Sequence, residues 1–212
     1  MSDLIDLFRS LVLIPSPSLK EETVAKKICD ILEQNHIDVS TDSYGNVYGK
    51  ISATDSSKKP LLLTAHMDVV GDKSPVVLHE TDEIIETDKS RTLGADDKAG
   101  IACAITLAKW IKQNPTIKHG GLELLFTRDE EQTMSGIHNV DLKQLESEYA
   151  LVLDADKVGQ FQIAGASYTI MTVEEESYVH NLASEISEDI NSLMMKNPAL
   201  SMNDALVLCS IA

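Results

Sequence analysis

Three short apolar runs in this sequence are each followed, directly or after one residue, by side chains that could bind a metal ion or transfer a proton. Runs of this length suit buried strands of a mostly parallel sheet. Ligands of open α/β sheets bind in the crevice beyond the carboxyl ends of the strands, so we expect the three clusters to face one place. The runs are PLLLTA (60–65), LELLFT (122–127) and YALVL (149–153), and the clusters are HMD (66–68), DEE (129–131) and DAD (154–156).

A fourth acidic segment, GADDKAG at 94–100, lies between the first two clusters and leads into a predicted helix. One imidazole, from His66, and several carboxylates make a mixed nitrogen and oxygen donor set. Such a set suits zinc, manganese or cobalt better than calcium or copper. The adjacent Glu130 and Glu131 can divide two tasks, because one can bind metal while the other accepts a proton from water.

The elements that must position these side chains show helical and strand periods in turn. Apolar spacing predicts helices over 3–13, 20–35 and 99–113. The stretch 37–51, interrupted by a Gly-Asn turn at 44–46, predicts a β-hairpin or a pair of strands. The helix at 99–113 would cross over between two of the apolar strands. The predicted fold class is therefore α/β, with a mostly parallel central sheet and flanking helices.

The bulk composition excludes several classes of protein. A net charge of -16 repels phosphate backbones, so we expect no nucleic-acid partner. No apolar run approaches the roughly 18 residues of a membrane span. The three cysteines are far apart and form no CxxC pair, which argues against disulfides and thiolate zinc sites. The N-terminal segment carries acids where a secretory signal would be positive, so the sequence predicts a cytoplasmic protein.

Four motifs, HMD, GADDKAG, the DEE of FTRDEE, and LDAD, stand in an order and spacing that resemble the M20 metallopeptidase family. The resemblance is greatest to its tripeptide aminopeptidase, or peptidase T-like, branch. It covers about residues 3–165, and we interpret residues 1–165 as the N-terminal part of a catalytic domain of that family. The four motifs together are specific, although each alone would be weak.

The resemblance implies a role for each acidic or histidine residue of the motifs. His66 and Asp154 would bind one metal ion, Glu131 would bind a second, and Asp96 would bridge the two. Asp96 is preferred over its neighbour because the family places the bridging Asp two residues before the Lys. Two further carboxylates would be catalytic without binding metal: Asp68 would orient His66, and Glu130 would be the general base.

The same resemblance implies the cofactors, the substrate and one backbone feature. Two divalent ions are expected, zinc foremost, with manganese or cobalt as alternatives. The implied substrate is a short peptide with a free N-terminus, cleaved in the manner of a tripeptidase. A cis peptide bond is implied between Asp96 and Asp97.

The sequence departs from the family pattern in its C-terminal part. In that family a distal His, which follows a lid domain, completes the second metal site, and this chain has no counterpart to it. The lid's own histidine-containing segment is missing as well. We therefore expect the chain as given to be incomplete and to hydrolyse peptides poorly or not at all, even with metal supplied.

Residues 166–212 instead resemble the small Z-ring-associated cell-division regulators, which pair a β-hairpin with a long dimerising helix. A strand-like YTIMTVE, an acidic EEE helix start and a KNPALS break recur in that order. A narrow apolar stripe over 179–193 is of the coiled-coil type and predicts a homodimer through this helix. The run ALVLCSIA at the end lacks a cap, which predicts truncation.

Two alternatives remain open at the level of sequence. The tail could instead be a diverged beginning of the lid domain, since IAGASYT also fits a strand. The whole chain could be an oligomerising cell-division adaptor that carries an inactive peptidase fragment. Metal content measured beside peptidase activity separates an adaptor from an enzyme.

Overall fold

Two amphipathic helices come first in the chain, as the spacing of their apolar side chains predicts. The computed structural model describes residues 2–81, 83–154 and 162–164. Helix α1 spans Ser2–Val12 and helix α2 spans Glu22–Gln34. Helix α2 buries Val24, Ile28 and Leu32. Both predicted helices are confirmed.

The predicted hairpin follows α2. Strand β1 (Asp38–Thr41) pairs antiparallel with strand β2 (Val47–Ile51). The turn between them is held by Asp42, whose carboxylate accepts hydrogen bonds from the backbone N–H groups of Tyr44, Gly45 and Asn46. A short acidic side chain that binds the backbone of its own turn explains why the chain reverses here.

The three apolar runs form the centre of a six-stranded sheet. Strands β3 (Leu61–His66), β6 (Leu122–Thr127) and β7 (Tyr149–Val152) are parallel, with β3 between the other two. The crossover from β3 to β6 contains helix α3 (Ala95–Gln113). Antiparallel partners flank these strands, β2 beside β6 and strand β8 (Gln162–Ala164) beside β7. The α/β class and the parallel arrangement of the three predicted strands are confirmed.

The main core lies between the helices and one face of the sheet. Helix α3 packs on β3 and β6 and also contacts α1, while α2 packs on the hairpin. Because strand side chains alternate between faces, neighbouring leucines of β3 and β6 separate into two clusters. Leu63 and Leu124 join the main core, whereas Leu62 and Leu125 join a smaller cluster with Tyr48 on the opposite face.

Three features of the fold differ from the sequence prediction or extend it. Strand β7 is not buried on both faces, since Tyr149 is exposed and the next three residues are half-buried. Its position next to β8, beyond the strands on which α3 packs, is the reason. A second, two-stranded sheet, β4 (Leu78–Glu80) with β5 (Ile85–Thr87), was not predicted. The short helix α4 (Ser135–His138) and a 3₁₀ turn (Leu142–Gln144) were not predicted either.

Several predictions fall on residues 165–212, which lie outside the described residues. These are the domain boundary at 165, the cell-division likeness and the homodimer through the C-terminal helix. Within the described ranges, no helix is both long enough and apolar enough to cross a bilayer.

Candidate active site

His66 is the last residue of strand β3, and its imidazole is almost completely buried. On one side, ring atom Nδ1 lies 2.9 Å from the backbone oxygen of Asp68 and 3.3 Å from an oxygen of the Asp68 carboxylate. On the other side, Nε2 faces the carboxylate oxygens of neighbouring segments. The Nδ1 contact fixes the ring so that Nε2 is directed at these carboxylates.

Asp96 and Asp154 meet His66 at Nε2. The Asp96 carboxylate lies 2.8 Å from Nε2, and the Asp154 carboxylate lies 3.9 Å from it. One ligand atom from each of the three residues lies within 4.8 Å of the other two. Asp96 comes from the start of α3, and Asp154 follows β7 by two residues. Three predicted ligands from three segments are thus brought together in a group that could hold a metal ion.

Asp68 is fully buried and binds groups from three parts of the chain. Its carboxylate accepts hydrogen bonds from Ser18 Oγ at 2.6 Å, from the N–H of Glu130 at 2.9 Å and from the N–H of Glu131 at 3.1 Å. Burial alone would raise the pKa of Asp68. Hydrogen bonds from His66, Ser18 and the two N–H groups outweigh burial and lower this pKa to about 2. Asp68 is therefore a fixed negative charge behind His66.

The two glutamates after β6 occupy different positions. Glu130 is partly exposed and places a carboxylate oxygen 4.0 Å from His66 Nε2. The backbone of Glu131 is held by Asp68, but its side chain is not part of the group formed by His66, Asp96 and Asp154. Burial raises the pKa of both glutamates, and nearby carboxylates, including Asp96, raise it further. Glu130 is thus close enough to work at the same centre, with an affinity for protons above that of an ordinary glutamate.

Asp97 has a different environment from Asp96. The peptide bond between the two is cis, as the resemblance implied. Asp97 is buried, and its Oδ1 accepts a hydrogen bond from the N–H of Gly100 at 3.1 Å. A Cβ at position 100 would lie 2.4 Å from that oxygen, which explains the second glycine of GADDKAG. The role of Gly100 is therefore to make space for Asp97.

Burial also governs the ionisation of Asp97 and of Lys98. Burial raises the pKa of Asp97 to about 7, with a further rise from the charge of Asp154. Burial lowers the pKa of Lys98 to about 7. The Lys98 ammonium donates a hydrogen bond to the backbone oxygen of Ile14 at 2.6 Å, which anchors the loop after α1. The lysine of the motif therefore has a structural role, because it ties the loop after α1 to the start of α3.

The charges around His66 favour a cation. Burial lowers the pKa of His66, but hydrogen bonds with the carboxylates of Asp68 and Asp96 outweigh this effect and raise it to about 10. A buried imidazole that keeps a proton so strongly lies in a negative potential. A site of one imidazole and several carboxylates with this potential fits a divalent ion of the zinc type.

Ser18 is a functional contact that the sequence interpretation missed. It lies in the loop between α1 and α2, to which the sequence alone assigned no function. Its hydroxyl binds a carboxylate 50 positions away in sequence. No local pattern indicates such a contact, because it depends on how the loop folds over the end of β3.

The chain is similar to known peptidases in sequence and in fold. The model of peptidase family M28 matches residues 46–205. Peptidase T of Lysinibacillus sphaericus is 46% identical over 79 residues, 37% of this chain and 19% of that protein. The cytosol non-specific dipeptidase of Escherichia coli is 30% identical over 172 residues, 76% of this chain and 35% of that protein.

A solved structure of a tripeptidase from Staphylococcus aureus resembles the fold, with a TM-score of 0.69 and 27% identity. The match covers 74% of this chain and 44% of the tripeptidase. This chain therefore spans less than half the length of each of these three proteins. The matched family model extends over most of the sequence, and we conclude that the chain belongs to peptidase family M28, within an M28/M20-like group of hydrolases that includes relatives named peptidase T and tripeptidase.

Proposed function

We propose that this chain carries the metal-binding part of a two-metal aminopeptidase that acts on short peptides. The observation that carries the proposal is the group formed by His66, Asp96 and Asp154, with the Glu130 carboxylate beside it. Relatives named peptidase T, tripeptidase and dipeptidase support a short peptide as the substrate. The name of the dipeptidase supports a cytosolic location.

Each residue of the site has a proposed task. His66 and Asp154 would hold one ion, Glu131 would contribute to a second, and Asp96 would serve both. Zinc is the proposed metal, with manganese or cobalt as alternatives. Two divalent ions would supply Lewis acidity, which would polarise a peptide carbonyl and lower the pKa of a bound water toward neutral pH.

The proton transfer is assigned to Glu130. Its carboxylate lies within 4.0 Å of His66 Nε2, and its pKa is raised by burial and by neighbouring carboxylates. A raised pKa suits a group that must accept a proton from water and then return it to the leaving amine. Asp68 would keep His66 oriented throughout. This division leaves one glutamate for metal and one for the proton.

The test is a tripeptide hydrolysis assay with added zinc, manganese or cobalt, run at enzyme concentrations at which slow turnover is measurable. The chain is compared with its Glu130→Ala variant, and bound metal is measured in both. We expect metal to be bound by both proteins, and any slow metal-dependent hydrolysis by the chain to be lost in the variant. Absence of bound metal in both proteins, or metal-dependent hydrolysis at equal rates in the two, would contradict the proposal.

A further inference from the structure

Four consecutive backbone N–H groups after strand β6 each donate a hydrogen bond to a side-chain oxygen from a distant segment. The residues of this turn are those that lead into and include the two glutamates of the site. Distances between donor and acceptor are 2.9 to 3.1 Å. The donors are Arg128, Asp129, Glu130 and Glu131, and the acceptors are Asn46 for the first, Glu21 for the second and Asp68 for the last two.

Of the two acceptors outside the motifs, Glu21 accepts more hydrogen bonds than Asn46. It is fully buried. Its Oε1 accepts from the N–H of Asp129 at 3.0 Å and from the N–H of Leu19 at 2.8 Å. Its Oε2 accepts from the guanidinium of Arg128 at 2.7 Å. One carboxylate thus joins the loop before α2 to the turn that precedes Glu130.

The position of Glu21 in its own helix shows that this contact is not a by-product of helix capping. Glu21 is the N-cap residue of α2, where Ser, Thr, Asp or Asn would normally cap the helix. Its side chain makes no capping hydrogen bond to α2. The carboxylate is instead directed away from its own helix, toward the turn after β6.

The turn needs such support because of its backbone conformation. Asp129 has a φ of 53°, in the left-handed region that residues with a side chain adopt less readily than glycine. This conformation reverses the chain, so that the N–H groups of Glu130 and Glu131 reach Asp68 at the end of β3. A hydrogen bond to the N–H of Asp129 itself holds the reversal at its centre.

We propose that Glu21 is a positioning residue of the active site: it fixes the turn after β6 and through it the location of Glu130 and Glu131. The inference rests on the proposed function, because that function gives the two glutamates their tasks. Glu21 touches neither substrate nor metal in this proposal. It acts through the N–H of Asp129 and through the Arg128 guanidinium.

A simple stabilising ion pair is the alternative explanation for Glu21, and the chain offers a matched control for it. Glu22 binds the same Arg128 guanidinium, at 3.0 Å, but its side chain is largely exposed. Among the described hydrogen bonds, Glu22 accepts none from the turn's backbone. Glu22→Gln therefore removes a negative charge next to Arg128 without removing a hydrogen bond to the backbone of the turn.

Glu21→Gln is the test variant. Its amide has a single acceptor oxygen, which can face either the N–H groups of Leu19 and Asp129 or the guanidinium of Arg128. On the other side of the side chain, the NH₂ group would then face N–H donors and could not accept their hydrogen bonds. The amide hydrogen exchange of wild type, Glu21→Gln and Glu22→Gln is measured by NMR without metal, with the amides of β6 as the internal reference for global stability.

We expect exchange at Asp129 and Glu130 to be at least about tenfold faster in Glu21→Gln, with β6 unchanged. Glu22→Gln should resemble wild type. Unchanged exchange at these two amides, an equal effect of both variants, or acceleration that extends equally through β6 would overturn the proposal. If Glu21→Gln does not fold by circular dichroism, Glu21→Asp is judged by the same criteria, because it keeps the charge but shortens the reach.

A cobalt titration of the same proteins separates this inference from the proposed function. In Glu21→Gln we expect at least about tenfold weaker binding of the ion that Glu131→Ala also weakens, while the ion bound by His66 is unaffected. Equal weakening of both ions would count against a positioning role. Failure of wild type to bind cobalt would contradict the proposed function, and the exchange measurement on the metal-free chain would still decide the role of Glu21.

Discussion

The carboxylate of Asp68 accepts a hydrogen bond from the backbone N–H of Glu130 at 2.9 Å, so the residue that orients His66 also holds the proposed general base. One buried charge therefore links the end of β3 to the turn after β6. Because both functions depend on the same side chain, changes at Asp68 should affect metal affinity and the position of Glu130 together.

The first prediction concerns His66. His66→Ala should weaken the tightest metal binding by at least about 100-fold, because a direct ligand should matter more than the residues that support it. Isothermal titration with zinc measures the effect. His79→Ala is the control, since His79 is exposed in the β4–β5 hairpin. Binding of unchanged affinity in His66→Ala would show that the ligand assignment is wrong.

The second prediction concerns Asp68. Asp68→Asn should weaken zinc binding about 10–100-fold, since the side chain that replaces it has one acceptor oxygen for several donors and no charge to support His66. Asp72→Asn serves as the control, because Asp72 is exposed and accepts a hydrogen bond only from its local turn among the described contacts. Similar affinities for the two variants would argue that Asp68 has no role in orienting the imidazole.

The third prediction is a pH dependence of stability that arises at Asp42. Burial alone would raise the pKa of Asp42, but hydrogen bonds from Asn46 and Tyr48 outweigh burial and hold it below its ordinary value of 3.8. A lowered pKa in the folded state means that the contribution to stability is complete well above pH 3.8 and is lost as the pH falls below it.

Asp42→Asn should therefore lower the free energy of unfolding by about 1–3 kcal/mol at pH 7, because the N–H and O–H donors around Asp42 would lose a charged acceptor. The difference from wild type should shrink as the pH falls toward the acid range. Urea unfolding at several pH values measures it, with the exposed Asp38→Asn in the same hairpin as the control. A difference that stays constant with pH would refute the assignment to the Asp42 carboxylate.

The fourth prediction concerns Glu123, a buried carboxylate near the start of β6. It accepts hydrogen bonds from the N–H groups of Glu146 and Ser147 and from the hydroxyl of Ser147, which fasten the segment before β7 to the sheet. Glu123→Gln should cost about 1–3 kcal/mol of stability. Thermal unfolding measures the loss.

Glu146→Gln is the matched control for Glu123→Gln. The Lys50 ammonium lies 3.8 Å from the Glu123 carboxylate and 2.7 Å from the carboxylate of Glu146, which is exposed. Because exposed ion pairs contribute little, this variant should change stability by less than about 1 kcal/mol. Equal losses in the two variants would mean that the Lys50 ion pair, and not the backbone contacts, is what stabilises this region.

The strands and helices that carry the site were predictable because their periods are local properties of the sequence. PLLLTA, LELLFT and YALVL each gave a parallel strand, and the turn at 44–46 closed the predicted hairpin. The short β4–β5 hairpin was missed, since strands of three residues carry too little pattern to recognise. The incomplete burial of β7 was also missed, because burial depends on which elements pack across a strand.

The sequence by itself determined which residues lie at the carboxyl ends of adjacent strands, because strand direction and the crossover helix follow from local pattern and chain connectivity. That was enough to bring the clusters HMD, DEE and DAD together as candidates, while the choice of Asp96 beside His66 and Asp154 came from the family resemblance. The tertiary structure places Asp96 against His66, as the resemblance implied, and only the tertiary structure decided that Asp97 is buried against Gly100. Only it decided that Glu21 reaches the turn before Glu130, 108 positions from the amide that it binds. Contacts of this kind depend on how the segments pack together in three dimensions, and neither the period nor the composition of a segment contains that information.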